Sequence, residues 1–542
     1  VREGLHGLIG KLRLPGTALI VEDVCVPPER IAEGARDLQA LLGEHGFLPG
    51  VAGHASAGNL HFMLTPDFAK QEDLERYEAF MSGLVELICD KYDGSLKAEH
   101  GTGINMAPYV EREWGEKATA LMWRVKGLAD PDGVLAPGVI LNRDPGVHLR
   151  NLKTTPPIEE SATTCVECGF CEPVCPSRNL TTTPRQRIVL RREMARQPAG
   201  SPVQKALLEE FSYEALETCA ADGSCQLACP VGIDTGKLVK ELRQVRHTER
   251  AERLALATAK RWGTVEGASR AGLRLGPLAH RTERGRALPP PASRTLPGTI
   301  HTGAAAVYVP SCTNRIFGGG PVQALVDVSA RAGLPVWIPE DVVGSCCGLP
   351  WGSKGFGEAH RHKANEMVER LWGWSGEGAL PIVVDAASCT GAIADPGDGV
   401  LSEESAERLG RLEIIDSVAW AHDRLLPWLE VRERVGSAAV HPTCATRHLG
   451  LAHRLQALAE ALADDIHVPP TATCCGFAGD RGISHPELTA AATAPEASEL
   501  AGRHFDARLS SNRTCEIGLE RATGEPYESV ILLLERLTRA SS

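Results

Sequence analysis

Cys165, Cys168, Cys171 and Cys175 stand in the pattern C-x2-C-x2-C-x3-C-P, with Pro176 directly after the last cysteine. Three thiolates three positions apart in a tight turn each reach a different iron of a cubane cluster, while the proline ends the turn and steers the fourth thiolate away. Such spacing makes the segment an electron carrier. A second run repeats it with one change: Cys219, Cys225 and Cys229-Pro230 fill the first, third and fourth places, and Asp222 fills the second. A carboxylate at that corner leaves two outcomes open, an aspartate-ligated four-iron cluster or a three-iron cluster with a labile site. Zinc, the usual competitor for clustered cysteines, pairs two C-x2-C units across a longer loop, which is not this arrangement.

A different chemistry is encoded near the front. His54 and His61 flank a loop of small residues in GHASAGNLHF, and about forty residues later AEHGTG adds Glu99 and His100. Two imidazoles and one carboxylate form a divalent-metal set with positions left open for a substrate. Hydrogen-bonding core histidines beside glycine turns would produce the same pattern, and spacing alone does not separate the two.

The elements that must position these groups follow from periodicity. Residues 18–26 read as a strand, 28–42 as a helix, 60–64 as a second apolar stretch, and 73–88 and 113–128 as helices, the last stopping at Asp130-Pro131-Asp132-Gly133. Residues 143–262 hold both cysteine runs, with a helix at 187–194 between them and one charged helix from 236 to about 257. The stretch 272–298, rich in Arg, Pro and Gly, reads as a linker. Beyond it lies an internal repeat. VYVPSC at 307–312, SCCG at 345–348 and Ser388-Cys389 are echoed about 130 positions later by AAVHPTC, TCCG and Thr514-Cys515, which predicts two similar α/β lobes.

The bulk numbers narrow the class. The chain has 542 residues, 43% hydrophobic and 23% charged, enough for three or four packed domains. A net charge of -12 with no basic stripe excludes nucleic acid as a partner. Of its 17 cysteines all but Cys25 and Cys89 fall in metal-type clusters, no signal peptide precedes them, and no apolar run reaches eighteen residues. A cytoplasmic setting is expected, with any membrane contact peripheral, at the inner face of the plasma membrane. Cys25 and Cys89 read as core residues. Arg187, Arg191 and Arg192, the run 360–363, and His441 and His448 read as solvated surface.

The pairing of GHASAGNLHF with AEHGTGINMAPYVEREWG, followed by the helix into DPDGVLAPG at 130–138, resembles the C-terminal half of the FAD-linked 2-hydroxy-acid oxidases and dehydrogenases. That resemblance implies His54, His61 and Glu99 as ligands of a zinc-like ion that grips the substrate. It implies His100 as the base that takes the hydroxyl proton, and Asn59 as a hydrogen-bonding group for substrate or flavin. In the family an FAD-binding domain with a glycine-rich pyrophosphate loop precedes this motif, and no such loop occurs in residues 1–50. The expectation is therefore a flavin half on a separate subunit, or a truncated chain. With the ferredoxin-like crossover, Cys165, Cys168, Cys171 and Cys229 would hold one 4Fe-4S cluster, and Cys175, Cys219, Asp222 and Cys225 the second.

The repeated lobes resemble the CCG domains of heterodisulfide reductase and of the iron-sulfur subunits of glycolate and lactate oxidases. Cys312, Cys346, Cys347 and Cys389 form one set, and Cys444, Cys474, Cys475 and Cys515 the other. The fullest form of that motif ends in C-x2-C, but here the last positions are Ala392 and Gly518, so each lobe has four thiols. A further cluster, redox-active thiols and inert buried cysteines remain alternatives. Taken together the chain resembles the FAD and iron-sulfur D-lactate dehydrogenases of bacteria. The expected architecture is α+β and multidomain: the C-terminal part of an FAD-linked oxidase cap (1–142), a helical ferredoxin-like domain (143–262), a linker (263–300) and two α/β CCG lobes (301–430 and 431–542). The expected activity is oxidation of a 2-hydroxy acid, D-lactate first and glycolate or D-2-hydroxyglutarate as alternatives, with a quinone or cytochrome as acceptor. A relay subunit that needs a separate FAD-domain partner is the competing reading.

Overall fold

A computed structural model describes residues 2–279 and 289–540. It divides into two units, one built from residues 1–168 and 189–199 and the other from 169–188 and 200–542.

The smaller unit is organised by a three-stranded antiparallel sheet in the order β1-β3-β2, with β1 at Ile20–Cys25, β2 at Val51–His54 and β3 at Asn59–Leu64. Alternation along the strands decides which side chains face where. Val24, Leu60, Phe62 and Leu64 enter a core with Leu38 and Leu42 of the helix Ile31–Glu44 and with Tyr77, Phe80 and Leu84 of the helix Gln71–Val85. The opposite face must then carry the polar residues. Register pairs Asp23 with His61, Cys25 with Asn59 and His54 with Asn59, so all five share that face. The β2–β3 loop closes at Gly58, whose φ is +70° and whose Cβ, if it had one, would lie 1.9 Å from the Val26 carbonyl oxygen. Only glycine fits there.

The larger unit contains two four-stranded parallel sheets. The first has β4 (Ala306–Val309), β5 (Val336–Trp337), β6 (Ile382–Val384) and β7 (Ile414–Asp416) in the order β5-β4-β6-β7. The second has β8 (Val435–Val440), β9 (Ala463–His467), β10 (Ala507–Ser510) and β11 (Glu528–Ser529) in the order β11-β10-β8-β9. Both follow the chain order second-first-third-fourth, so the sequence repeat is a repeat of topology. The central strands AVYV and IVV are buried end to end, as parallel strands covered on both faces require. In each lobe the cysteines follow the carboxyl ends of the strands: Cys312 and Cys389 after β4 and β6, Cys444 and Cys515 after β8 and β10.

Several expectations change. The charged helix from 236 is two helices, Thr235–Gln244 and Glu249–Lys260, because Thr248 caps the second by accepting from the Ala251 N–H. Much of the expected linker is helical, since Trp262–Ala279 forms one helix; residues 280–288 lie outside the described residues. Lys363 is buried, donating to the Gly344 carbonyl at 3.1 Å and to Glu366 at 2.8 Å, so the run 360–363 is not a solvated face. Among the described residues no helix is long and apolar enough to cross a membrane.

The helix Trp262–Ala279 is tied to the first lobe by a buried ion pair. Arg315 and Glu266 are 1% and 0% exposed and meet through two hydrogen bonds, at 3.1 and 3.0 Å. Arg315 also donates to the carbonyls of Pro310 and Ser345, which bracket Cys312 and precede Cys346. Removing one member of such a pair leaves an uncompensated buried charge, at a cost of about 3–5 kcal/mol. Glu266→Ala should therefore lower the first unfolding transition of the chain in urea by about that amount. A midpoint unchanged from wild type would show that the pair does not hold the lobe.

Candidate active site and cysteine clusters

On the polar face of the small sheet, Glu99 approaches both histidines that the sequence singles out. Its carboxylate lies 2.9 Å from His61 Nε2 and 3.4 Å from His54 Nε2. The rings of His61 and His100 have centroids 5.1 Å apart, and those of His54 and His61 5.5 Å. The group that converges most tightly is Asp23, His61, Glu99 and His100, whose donor atoms all lie within 4.8 Å of one another. Imidazole nitrogens and carboxylate oxygens in this number fit a divalent ion of the zinc type.

Asp23 is the residue the sequence did not reveal. It is fully buried, accepts from the backbone N–H of Glu99 at 2.6 Å and of His100 at 3.1 Å, and faces His100 Nδ1 at 3.6 Å. It fixes both residues from below. The only available signal was its place in β1, next to Glu22 and two residues before Cys25. Asn59 is 4% exposed with its Oδ1 lacking a hydrogen-bond partner, an acceptor held ready on the same face. Cys25 is half-buried on this face rather than in the core, with Sγ 3.4 Å from the Ala57 carbonyl oxygen. Next along β1, Glu22 pairs with Lys97, whose pKa burial lowers to about 8. Glu22 and Asn105 line a cavity of about 590 Å³ in the smaller unit, which also reaches Arg13, Arg192 and Cys165.

The two iron-sulfur runs make the same local turn. The residue two after the first cysteine is left-handed in both, Glu167 at φ +58° and Ala221 at +50°, and its N–H points at the preceding thiol, at 3.3 Å from Cys165 Sγ and 3.4 Å from Cys219 Sγ. Gly169 and Gly223 follow at φ +86° and +76°. Asp222 thus occupies the geometric place of Cys168. Cys175, Cys219, Asp222 and Cys225 line one narrow cavity, together with Arg187. Three sulfurs and a carboxylate around one space are a donor set that fits an iron-sulfur cluster. Cys165 and Cys168 close the smaller unit while Cys171 and Cys229 belong to the larger, so the other expected set is not gathered within either unit.

The arginines correct the surface reading. Arg187 is 2% exposed and donates to Ser177 Oγ at 2.6 Å. Burial opposes its charge, but the neighbouring Cys219, Cys175, Cys225 and Asp222 outweigh that and raise its pKa. Arg192 is buried against Glu167 and the Cys165 carbonyl, and Arg191 is half-buried on Glu159. All three face inward, and Arg187 stands beside the thiols of Cys175, Cys219 and Cys225, a placing that helical periodicity alone did not separate from a wet face.

In the lobes, all four cysteines of the first set and three of the second are buried. Cys312 Sγ lies 3.9 Å from Cys346 Sγ, and Cys475 Sγ 3.0 Å from Cys515 Sγ. Hydrogen bonds from Cys474 and Cys515, with a smaller contribution from His441, hold the Cys475 thiol well below its ordinary pKa. His441 is 1% exposed and meets Glu496 at 2.7 Å, so it is not a surface histidine; His448 is exposed.

Comparison with known proteins matches this division. Residues 1–140 match the family described as FAD linked oxidases, C-terminal domain, residues 161–233 the 4Fe-4S dicluster domain, and residues 306–394 and 438–520 the cysteine-rich domain. D-2-hydroxyglutarate dehydrogenase of Escherichia coli K12 is 28% identical over 46% of this chain and 30% of its own length. That of Pseudomonas putida KT2440 is 30% identical over 40% of the chain and 26% of its own length. The mitochondrial D-lactate dehydrogenase [cytochrome] of Arabidopsis thaliana is 31% identical over 23% of the chain and 22% of its own length. The chain thus spans less than a third of the length of these relatives.

If Asp23 orients the metal-type set, Asp23→Asn should weaken Zn²⁺ binding to the full chain about 10–100-fold in calorimetric titration, the usual loss for a residue that positions ligands. Affinity equal to wild type would remove Asp23 from the site. In chain order, then, the sequence carries segments similar to the FAD-linked oxidase C-terminal, 4Fe-4S dicluster and cysteine-rich domains, and it resembles hydroxy-acid dehydrogenases over part of their length.

Proposed function

We propose that the chain serves the flavin-dependent oxidation of a 2-hydroxy acid and sends the electrons through its iron-sulfur segment toward a quinone or cytochrome. The observation that carries this reading is the convergence of His54, His61 and Glu99 beside His100 on one sheet face. Bound FAD, held with an FAD-binding domain, supplies the acceptor for the hydride that leaves Cα. A divalent ion on His54, His61 and Glu99 would supply the Lewis acidity that lowers the hydroxyl pKa. His100 takes the hydroxyl proton at Nε2, because its Nδ1 is turned toward Asp23. Asn59 offers its unpartnered Oδ1 to the substrate or the flavin ring.

Downstream, Cys165, Cys168, Cys171 and Cys229 hold one cluster and Cys175, Cys219 and Cys225 the second, with the cysteine-rich lobes as the exit. Supporting a route out of the oxidase segment, Cys165 borders the cavity that Glu22 and Asn105 line, and Glu22 is the neighbour of Asp23 in β1. Flavin delivers two electrons together, and a series of clusters lets them leave singly.

D-lactate is the substrate implied by the resemblance to the bacterial FAD and iron-sulfur dehydrogenases. D-2-hydroxyglutarate is a second reading, favoured by the relatives that bear that name and align over the longest stretches. Dye-linked turnover of the chain, isolated with its flavin-binding domain, should occur with one of these D-acids and not with its L-enantiomer. His100→Gln should cut kcat about 10²–10⁴-fold with iron and sulfide content unchanged. Zinc without iron or sulfide in the purified chain, or no turnover with any 2-hydroxy acid, would overturn the reading.

A further inference from the structure

Among the described residues, two groups of three or more histidine, cysteine or acidic side chains bring their donor atoms within 4.8 Å of one another. One is the Asp23 group. The other joins Asp222 of the second iron-sulfur run to Cys444 and Cys474 of the second cysteine-rich lobe, and it crosses two segments that the sequence pattern assigns to different centres. We propose that Asp222 is a ligand of the metal centre of that lobe, completing with Cys444 and Cys474 a mixed carboxylate-thiolate site for a first-row divalent ion.

The geometry favours the lobe over the cavity of Cys175, Cys219 and Cys225. Asp222 is on the wall of that cavity, yet no comparably close donor group among the described residues joins it to those three thiols. Its carboxylate instead lies within 4.8 Å of the Cys444 and Cys474 sulfurs, and Ser224 Oγ donates to it. The backbone on both sides holds it in this direction, Ala221 at φ +50° and Gly223 at +76°. Gly223 packs against the short helix that Cys444 opens: a Cβ at Gly223 would lie 2.8 Å from His448 Nε2. The loop and the lobe therefore meet at that point, Gly223 against the His448 ring.

The donor chemistry agrees. Bonds of about 2.0–2.3 Å to oxygen and sulfur put all three atoms within reach of one ion after a small inward movement. Two thiolates and one carboxylate suit a borderline ion such as ferrous iron or zinc rather than magnesium or calcium. The lobe supplies two thiols to this group, Cys444 and Cys474, and Asp222 brings a third donor from outside the lobe. The second iron-sulfur run is then left with three thiolates, which assigns it the three-iron form with an open corner.

This inference rests on the reading that the lobe thiols bind metal, and one set of variants separates the two. Iron, zinc and sulfide per chain are measured on the anaerobically isolated full chain, together with its electron paramagnetic resonance spectrum. Asp222→Ala and Cys444→Ser should each lose the same metal, the double variant should lose no more than either single one, and Cys225→Ser combined with Asp222→Ala should lose iron in addition to that loss. Asp222→Cys should keep the metal that Asp222→Ala loses, which guards against a folding artefact. Loss in Cys444→Ser but not in Asp222→Ala would overturn the inference and leave the metal-binding lobe standing. Loss in neither would overturn both. Equal, non-additive loss between Asp222→Ala and Cys225→Ser would return Asp222 to the iron-sulfur run.

Discussion

A carboxylate taken wholly out of water must be met by donors, and Asp23 is met by the backbone of Glu99 and His100. The placement of Glu99 and His100 beside His61 depends on this compensation. Residues 99 and 100 lie in a loop that ends at Gly101 and Gly103, both at positive φ, with nothing else in the strand pairing to fix it. Asp23 supplies the fixed point from β1, and antiparallel register places His61 directly opposite. The hydrophobic face of the same three strands therefore determines the polar one: Val24, Leu60 and Phe62 cannot leave the core without turning Asp23 and His61 away from the site.

The larger unit solves the positioning problem differently. Two parallel sheets with one strand order place every lobe cysteine beyond a strand end, where loops converge and backbone N–H groups are free to face a ligand. Each lobe then locks its first thiol with an arginine three residues further on. Arg315 donates to the Pro310 carbonyl, and Arg447 to that of Pro442 at 3.4 Å and to that of Ala472 at 3.0 Å. In the first lobe Glu266 neutralises that arginine inside the protein. Arg447 is exposed and makes no such pair among the ion pairs of the described residues. The lobes share a fold while differing in the charge that surrounds their thiols.

The parts legible in the sequence are those carried by spacing. The strands at β1 and β3, the helices of the smaller unit and the duplication of the lobes all follow from periodicity and repeat length, while the placing of Cys175 beside Cys219 and Cys225 follows the ferredoxin-like pattern. What was not legible depends on partners distant in the chain. Arg187 and Lys363 carry formal charges in helices, and nothing local distinguishes a solvated cation from one that faces buried thiols or a carbonyl. His441 flanks a cysteine on a strand end, and its burial is set by Glu496, fifty-five residues away. The long charged helix was broken by Thr248, a capping residue that a helical charge pattern conceals.

Asp222 shows the same limit in its sharpest form. By alignment of the two cysteine runs it replaces Cys168, and the left-handed turns on either side reproduce the turn around that cysteine. Position in a motif, however, specifies where a backbone goes and not which neighbour a side chain meets. Replacing sulfur by a shorter, harder donor releases the residue from a purely thiolate shell, and the lobe packed over Gly223 offers Cys444 and Cys474 in its place. A substitution that looks in the sequence like the loss of a cluster ligand places, in three dimensions, a carboxylate within 4.8 Å of two thiols of the second cysteine-rich lobe.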